Sequence, residues 1–139
     1  MRNNFYLYAP QVYQGGGKIL LEALLNDPPR NMSCHVIIDE RLSLNSSTLH
    51  GWGVKIIKSS FVSRLSCEKW LLSTVKENDT VLFYSNLPPL FKVSGKKVVF
   101  LQNRYLVDNQ TLKGFSYIAR LGLVIQRLWF RIFIGRASE

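Results

Sequence analysis

A chain of 139 residues suffices for one domain and excludes two full ones, because about 100 to 200 residues sustain a single core. Hydrophobic residues at 47% and charged residues at 19% exclude a disordered chain. The formal charge of +9 is lopsided: residues 96–139 carry eight basic side chains against Asp108 and Glu139, a net of +6, which leaves +3 for residues 1–95.

In chain order, the opening MRNNFYLYAP reaches Pro10 after a short apolar stretch. A secretory signal needs a longer one, so a cytoplasmic location is expected. Phe5 to Ala9 reads as a first strand, and Gly15-Gly16-Gly17 then opens a helix with Leu20, Leu21, Leu24 and Leu25 at helical spacing. Asp27-Pro28-Pro29 stops that helix. Cys34 to Asp39 is an unbroken apolar run ending in an acid, as expected of a parallel strand covered on both faces. Residues 40–53 read as loop, and Val54 to Ile57 as a third strand. Ser59-Ser60 offers N-cap hydroxyls for a helix carrying Phe61, Leu65, Leu72 and Val75 and ending near Asn78-Asp79. Thr80 to Tyr84 and Lys97 to Leu101 are two more strands, joined by SNLPPLFKVSGK, whose prolines and glycine predict a short turn or a single helical turn. From Gly114 to Arg136 the pattern is helical and rich in apolar residues. Strands alternating with helices predict an α/β domain with a mostly parallel sheet flanked by helices.

The glycine turn after the first strand lets backbone N–H groups approach an anion at a helix N-terminus. A tight turn without a ligand explains the same three glycines. The dinucleotide fingerprint needs a third glycine where Leu20 stands, although Asp39 lies about twenty residues on, where such folds place a ribose-binding acid. Cys34, Cys67, His35 and His50 lack metal-ligand spacing, and Asp39-Glu40 is not a DxD motif, so no metal is expected. His35 and Cys67 read as core residues, and Glu40 and Arg41 as a solvated strand end.

YAPQVYQGGGKILLEALL, VIIDERL, DTVLFYSNLPPLF and KKVVFLQNRYLV together resemble the N-terminal, Rossmann-like half of a family 4 glycosyltransferase of the GT-B fold, across essentially the whole chain. The resemblance implies transfer of a hexosyl unit from a nucleoside diphosphate sugar to a glycan or lipid-linked acceptor, in cell-surface polysaccharide synthesis, without a cofactor. It assigns Gly15, Gly16 and Gly17 to the donor diphosphate. It places Gln102, Asn103, Arg104 and Tyr105 on the acceptor-facing side of the cleft. Many members carry a histidine there; an amide hydrogen-bonds a sugar hydroxyl but does not titrate. The family's main donor site, with an acidic pair spaced by seven residues, lies in a C-terminal domain. The expectation is therefore one wall of a cleft whose catalytic partner is a further half. The alternatives are a non-catalytic nucleotide- or membrane-binding module and a decayed enzyme fragment.

On the helix at about 114–136, Lys113, Arg120, Arg127 and Arg131 fall within roughly 20° of one line at about 100° per residue. Leu121, Ile125, Trp129, Ile132 and Phe133 lie opposite. This fits an interfacial helix on an anionic membrane surface, at the inner face of the cytoplasmic membrane, and equally a covering helix whose arginines mark the solvent edge. A spanning helix is not expected, since the longest apolar run, Leu121 to Ile125, is five residues. Nucleic-acid binding has only the charge in its favour and is not expected.

Overall fold

The computed structural model describes residues 2–106 and 111–134. Five strands, β1 (Asn4–Ala9), β2 (Ser33–Asp39), β3 (Trp52–Ile57), β4 (Thr80–Phe83) and β5 (Lys96–Val99), form one sheet in the order β3-β2-β1-β4-β5. Every neighbouring pair is parallel. Three helices, α1 (Gly15–Leu25), α2 (Phe61–Thr74) and α3 (Tyr117–Phe133), accompany it. Two 3-10 turns lie at Ser46–Leu49 and Arg104–Leu106. The architecture is the Rossmann-like α/β class expected from the alternation of strands and helices.

Alternate residues of the central strand face opposite layers. Leu7 and Ala9 pack with Leu21 and Leu25 of α1, whereas Tyr6 and Tyr8 pack with Cys67 and Leu71 of α2. Covering both faces explains why β1 and β2 read as continuous apolar runs. Burial pushes the Cys67 thiol up to about 11, in keeping with a packing role. His35 stacks on Tyr6 with ring centroids 5.0 Å apart.

Several boundaries and faces differ from the expectation. β3 starts at Trp52, inside the stretch read as loop. Trp52 is buried, and its Nε1 donates to Leu25 O (2.9 Å), satisfying a carbonyl at the end of α1. Gly53, which breaks the apolar pattern, is needed there because a Cβ would lie 2.8 Å from His35 Nδ1. In α1, Leu21 and Leu25 enter the core while Leu20 and Leu24 stay exposed.

In α2, Ser60 is the N-cap, its Oγ accepting from Ser63 N (3.1 Å). The inward face is Arg64, Cys67, Glu68 and Leu71, followed by buried Val75, while Phe61 and Leu72 stay largely exposed. The SNLPPLFKVSGK connection contains no helix. It packs Val93 into the α2 layer and runs straight into β5. α3 begins at Tyr117 behind a Ser116 cap, so Gly114 and Lys113 precede the helix. Residues 135 and 136 of the expected helix lie outside the described residues.

Candidate functional site

The strand order reverses between β1 and β4, which makes the carboxyl ends of these two strands the switch point of the sheet, the position at which α/β sheets bind ligands. The glycine turn enters from the β1 side. Gly15 has φ +68, a conformation that disfavours side chains, and Gln14 caps α1 only through its extended backbone. The first turn has neither a side-chain cap nor an acidic residue, so its N–H groups are left to an external acceptor. A Cβ on Gly16 would meet nothing within 4 Å, whereas one on Gly17 would lie 2.8 Å from Gln102 Oε1. The three glycines thus do different things. Gly15 makes the turn, Gly16 keeps the surface bare, and Gly17 admits Gln102.

From the β4 side comes Tyr84, which is buried and stacked on Phe100 at 4.9 Å. Its hydroxyl donates to Gly17 O (3.2 Å) and accepts from Gln102 Nε2 (2.7 Å). Burial pushes the Tyr84 phenol up and outweighs the Gln102 bond, so it stays protonated and able to donate. Asn86 Oδ1 accepts from the Gln102 and Asn103 N–H groups (2.9 and 3.0 Å), fixing the segment that follows β5 against the one that follows β4.

The structure brings Gln102 to Gly17, but Asn103 and Tyr105 are engaged elsewhere. Asn103 Oδ1 accepts from Tyr105 N (3.1 Å) in a local turn. Tyr105 packs edge-on against Phe115, and its carbonyl takes Arg127 Nε (2.6 Å), which ties it to α3. The side chain of Arg104 lies outside the described part of the structure.

Asp39 is committed elsewhere. Arg41 donates to it from N, Nε and Nη2 (2.9, 2.8 and 2.7 Å), and that fork holds the carboxyl below the usual carboxylate range. Arg41 also lies 3.9 Å over the Tyr13 ring. Glu40 Oε1 accepts from Ser59 N (3.2 Å). Glu40 and Arg41 are both exposed, as expected of a solvated strand end, and both oxygens of the acid that would hold a ribose are engaged. With Leu20 in place of the third glycine, this weighs against a nicotinamide dinucleotide. Among the described residues, no three His, Cys, Asp or Glu side chains gather as a metal site would require.

Comparison of the chain with protein-family models, with curated proteins and with solved structures finds no match.

α3 inverts the covering-helix expectation. None of its residues is buried, and Ile118, Leu121, Ile125, Leu128 and Ile132 form an exposed apolar stripe at i, i+3, i+4 spacing. Trp129, expected on that stripe, turns inward: its Nε1 donates to Pro88 O (3.2 Å), and its ring meets Phe61 edge-on. Phe133 stays with it at 5.3 Å between ring centroids. Two of the arginines, Arg120 and Arg127, serve the protein's own backbone. Arg120 donates to Phe115 O and Lys113 O (2.8 and 2.7 Å), so Lys113 contributes a carbonyl in the preceding turn rather than a charge on the helix. Arg131 is exposed. Among the described residues, no helix is long and apolar enough to cross a membrane.

Proposed function

We propose that this domain is the donor-cleft, acceptor-facing half of a glycosyltransferase that moves a hexosyl unit from a nucleoside diphosphate sugar to a glycan or lipid-linked acceptor. One observation carries the reading: the uncapped, side-chain-free N-terminus of α1 opens at the switch point of a parallel sheet. Backbone amides there are oriented before the ligand arrives, which is how a departing diphosphate is stabilised without reorganisation. Gln102, anchored by Tyr84, borders the same turn and offers an amide oxygen to a sugar hydroxyl. The reading calls for a second domain to supply the remaining cations and close the cleft, because transfer needs both reactants held in line.

Gly16→Val tests it. The new side chain enters open space, so the fold is unaffected, but it covers the amides a diphosphate must reach. Calorimetric titration with uridine and guanosine diphosphates is expected to show at least a tenfold weaker affinity, about 1.4 kcal/mol, with unchanged melting temperature. Equal affinities in the two proteins would overturn the assignment.

The outward apolar stripe of α3 favours a second reading, a non-catalytic or catalytic module held peripherally on an anionic membrane at its cytoplasmic face. Vesicles containing phosphatidylglycerol are expected to carry the protein in flotation, and Leu121→Glu with Ile125→Glu to abolish this. Undiminished flotation of that double variant would rule the membrane role out.

A further inference from the structure

At the same carboxyl edge, but on the α2 face of the sheet, lies a cavity of about 180 Å³ that the reading above does not use. Its walls come from the ends of β1 and β3, the first turn of α2, Leu87 and Trp129 of α3. Liquid water takes about 30 Å³ per molecule, so the space admits a polyatomic group.

Arg64 forms part of this wall. Its side chain is 5% exposed, and Nε donates to Glu68 Oε1 at 2.9 Å. Nη2 is fully buried and has no hydrogen-bond partner among the described residues. An unpaired buried N–H is costly, more so on a charged group, so such a donor points to an acceptor that the described residues do not provide. A guanidinium is planar, and the Nε bond to Glu68 fixes the direction of Nη2. The Trp129 ring centroid lies 5.4 Å from the guanidinium carbon, within reach of a cation–π contact.

The α2 N-terminus supplies the second component. Ser60 Oγ takes the Ser63 N–H, leaving those of Phe61 and Val62 without an intrahelical acceptor and adding the positive end of a helix of 14 residues. Exposed Lys58 stands at the rim. Two acids are close, and both are engaged: Glu68 by Arg64 and by Leu90 N (2.6 Å), Glu40 by Ser59 N (3.2 Å).

We propose that this cavity binds a phosphoryl group, held by the Arg64 guanidinium, the first-turn amides of α2 and Lys58. The group is a phosphomonoester, carried by a soluble sugar phosphate or by a lipid headgroup. The site does not depend on the donor reading, because the glycine turn belongs to the α1 face of the sheet.

Amide and arginine side-chain NMR of the full chain tests this with inorganic phosphate, glucose 6-phosphate and phosphatidylcholine vesicles with or without phosphatidic acid. Expected are saturable shifts at Phe61 N–H, Val62 N–H and Arg64 Nε–H that chloride at equal ionic strength does not produce. Lys58→Glu, at an exposed position that leaves the fold intact, should weaken them at least tenfold. Arg64→Lys, which removes the forked donor, should do the same. Tighter response to glucose 6-phosphate than to inorganic phosphate supports the soluble source, and response confined to phosphatidic acid vesicles supports the headgroup. No saturable shift with any probe, or shifts unchanged by Lys58→Glu, overturns the proposal. Shifts at Gly15–Gly17 with uridine diphosphate report the donor reading separately, so either idea can fail while the other stands.

Discussion

Glu68→Ala is expected to destabilise the domain by about 3 to 5 kcal/mol, the usual cost of removing one partner from a buried ion pair. Glu68 is fully buried, and its Oε1 accepts from Arg64 Nε (2.9 Å) and from the Tyr8 hydroxyl (3.4 Å). Burial, with the Glu68 charge beside it, pushes the Tyr8 phenol far up, so it is a donor at neutral pH. Truncation leaves the Arg64 guanidinium charged, desolvated and without its carboxylate. It also removes the acceptor of Leu90 N–H, which fastens the β4–β5 connection to α2. Urea unfolding measures the loss directly. The joint variant Arg64→Leu with Glu68→Leu should recover most of it, since an apolar pair leaves no buried charge behind. A loss below about 1 kcal/mol for Glu68→Ala would mean that the pair, and Nη2 with it, is solvated.

That pair also marks where the sequence misleads. The sheet was readable because a strand covered on both faces has no polar side to show, and VIID or VLFY then has few other interpretations. The inward face of α2 was not. Phe61, Leu65 and Leu72 look like the buried line, whereas the line that packs is Arg64, Cys67, Glu68, Leu71 and Val75. An arginine four residues before a glutamate has the spacing of an ordinary surface pair, and only the third dimension shows the sheet and Trp129 closing over it. The same limit applies to α3. Spacing correctly separates arginines from aliphatics, but it does not say which side meets the protein, and here backbone carbonyls at Lys113, Phe115 and Tyr105 draw the arginines. At the glycine turn, sequence found the position but not the division of labour among Gly15, Gly16 and Gly17. That division depends on Gln102, some 85 residues away in the chain, a separation no local pattern bridges.

Gly95→Ala should cost about 3 kcal/mol, although Gly95 looks like mere loop punctuation in VSGKK. Its φ is +78, which for an alanine costs about 1 to 2 kcal/mol by itself. The added Cβ would also lie 2.5 Å from Asp79 O and 2.7 Å from Lys76 O. Neither carbonyl is free to retreat. Asp79 O accepts from Lys96 N (2.9 Å) at the start of β5, and Lys76 O accepts from Asp79 N (3.0 Å). The Asp79 carboxylate grips Lys76 N (2.9 Å) and both nitrogens of Asn4 (2.7 and 3.0 Å). Burial alone would raise that carboxyl, but these bonds outweigh it and hold it below the usual range, so the turn stays ionised and rigid at neutral pH. A Cβ there must push β5 outward, and β5 leads directly to Gln102. Gly51→Ala is the internal control. Its φ is +86, yet its Cβ would meet only Pro28 Cγ, at 4.0 Å, so it should cost the conformational part alone. The difference between the two alanine variants in urea unfolding then isolates the contact with the 76–79 turn. Equal losses would show that β5 yields freely, and the Gln102 anchor would then have to be held by Asn86 and Tyr84 alone.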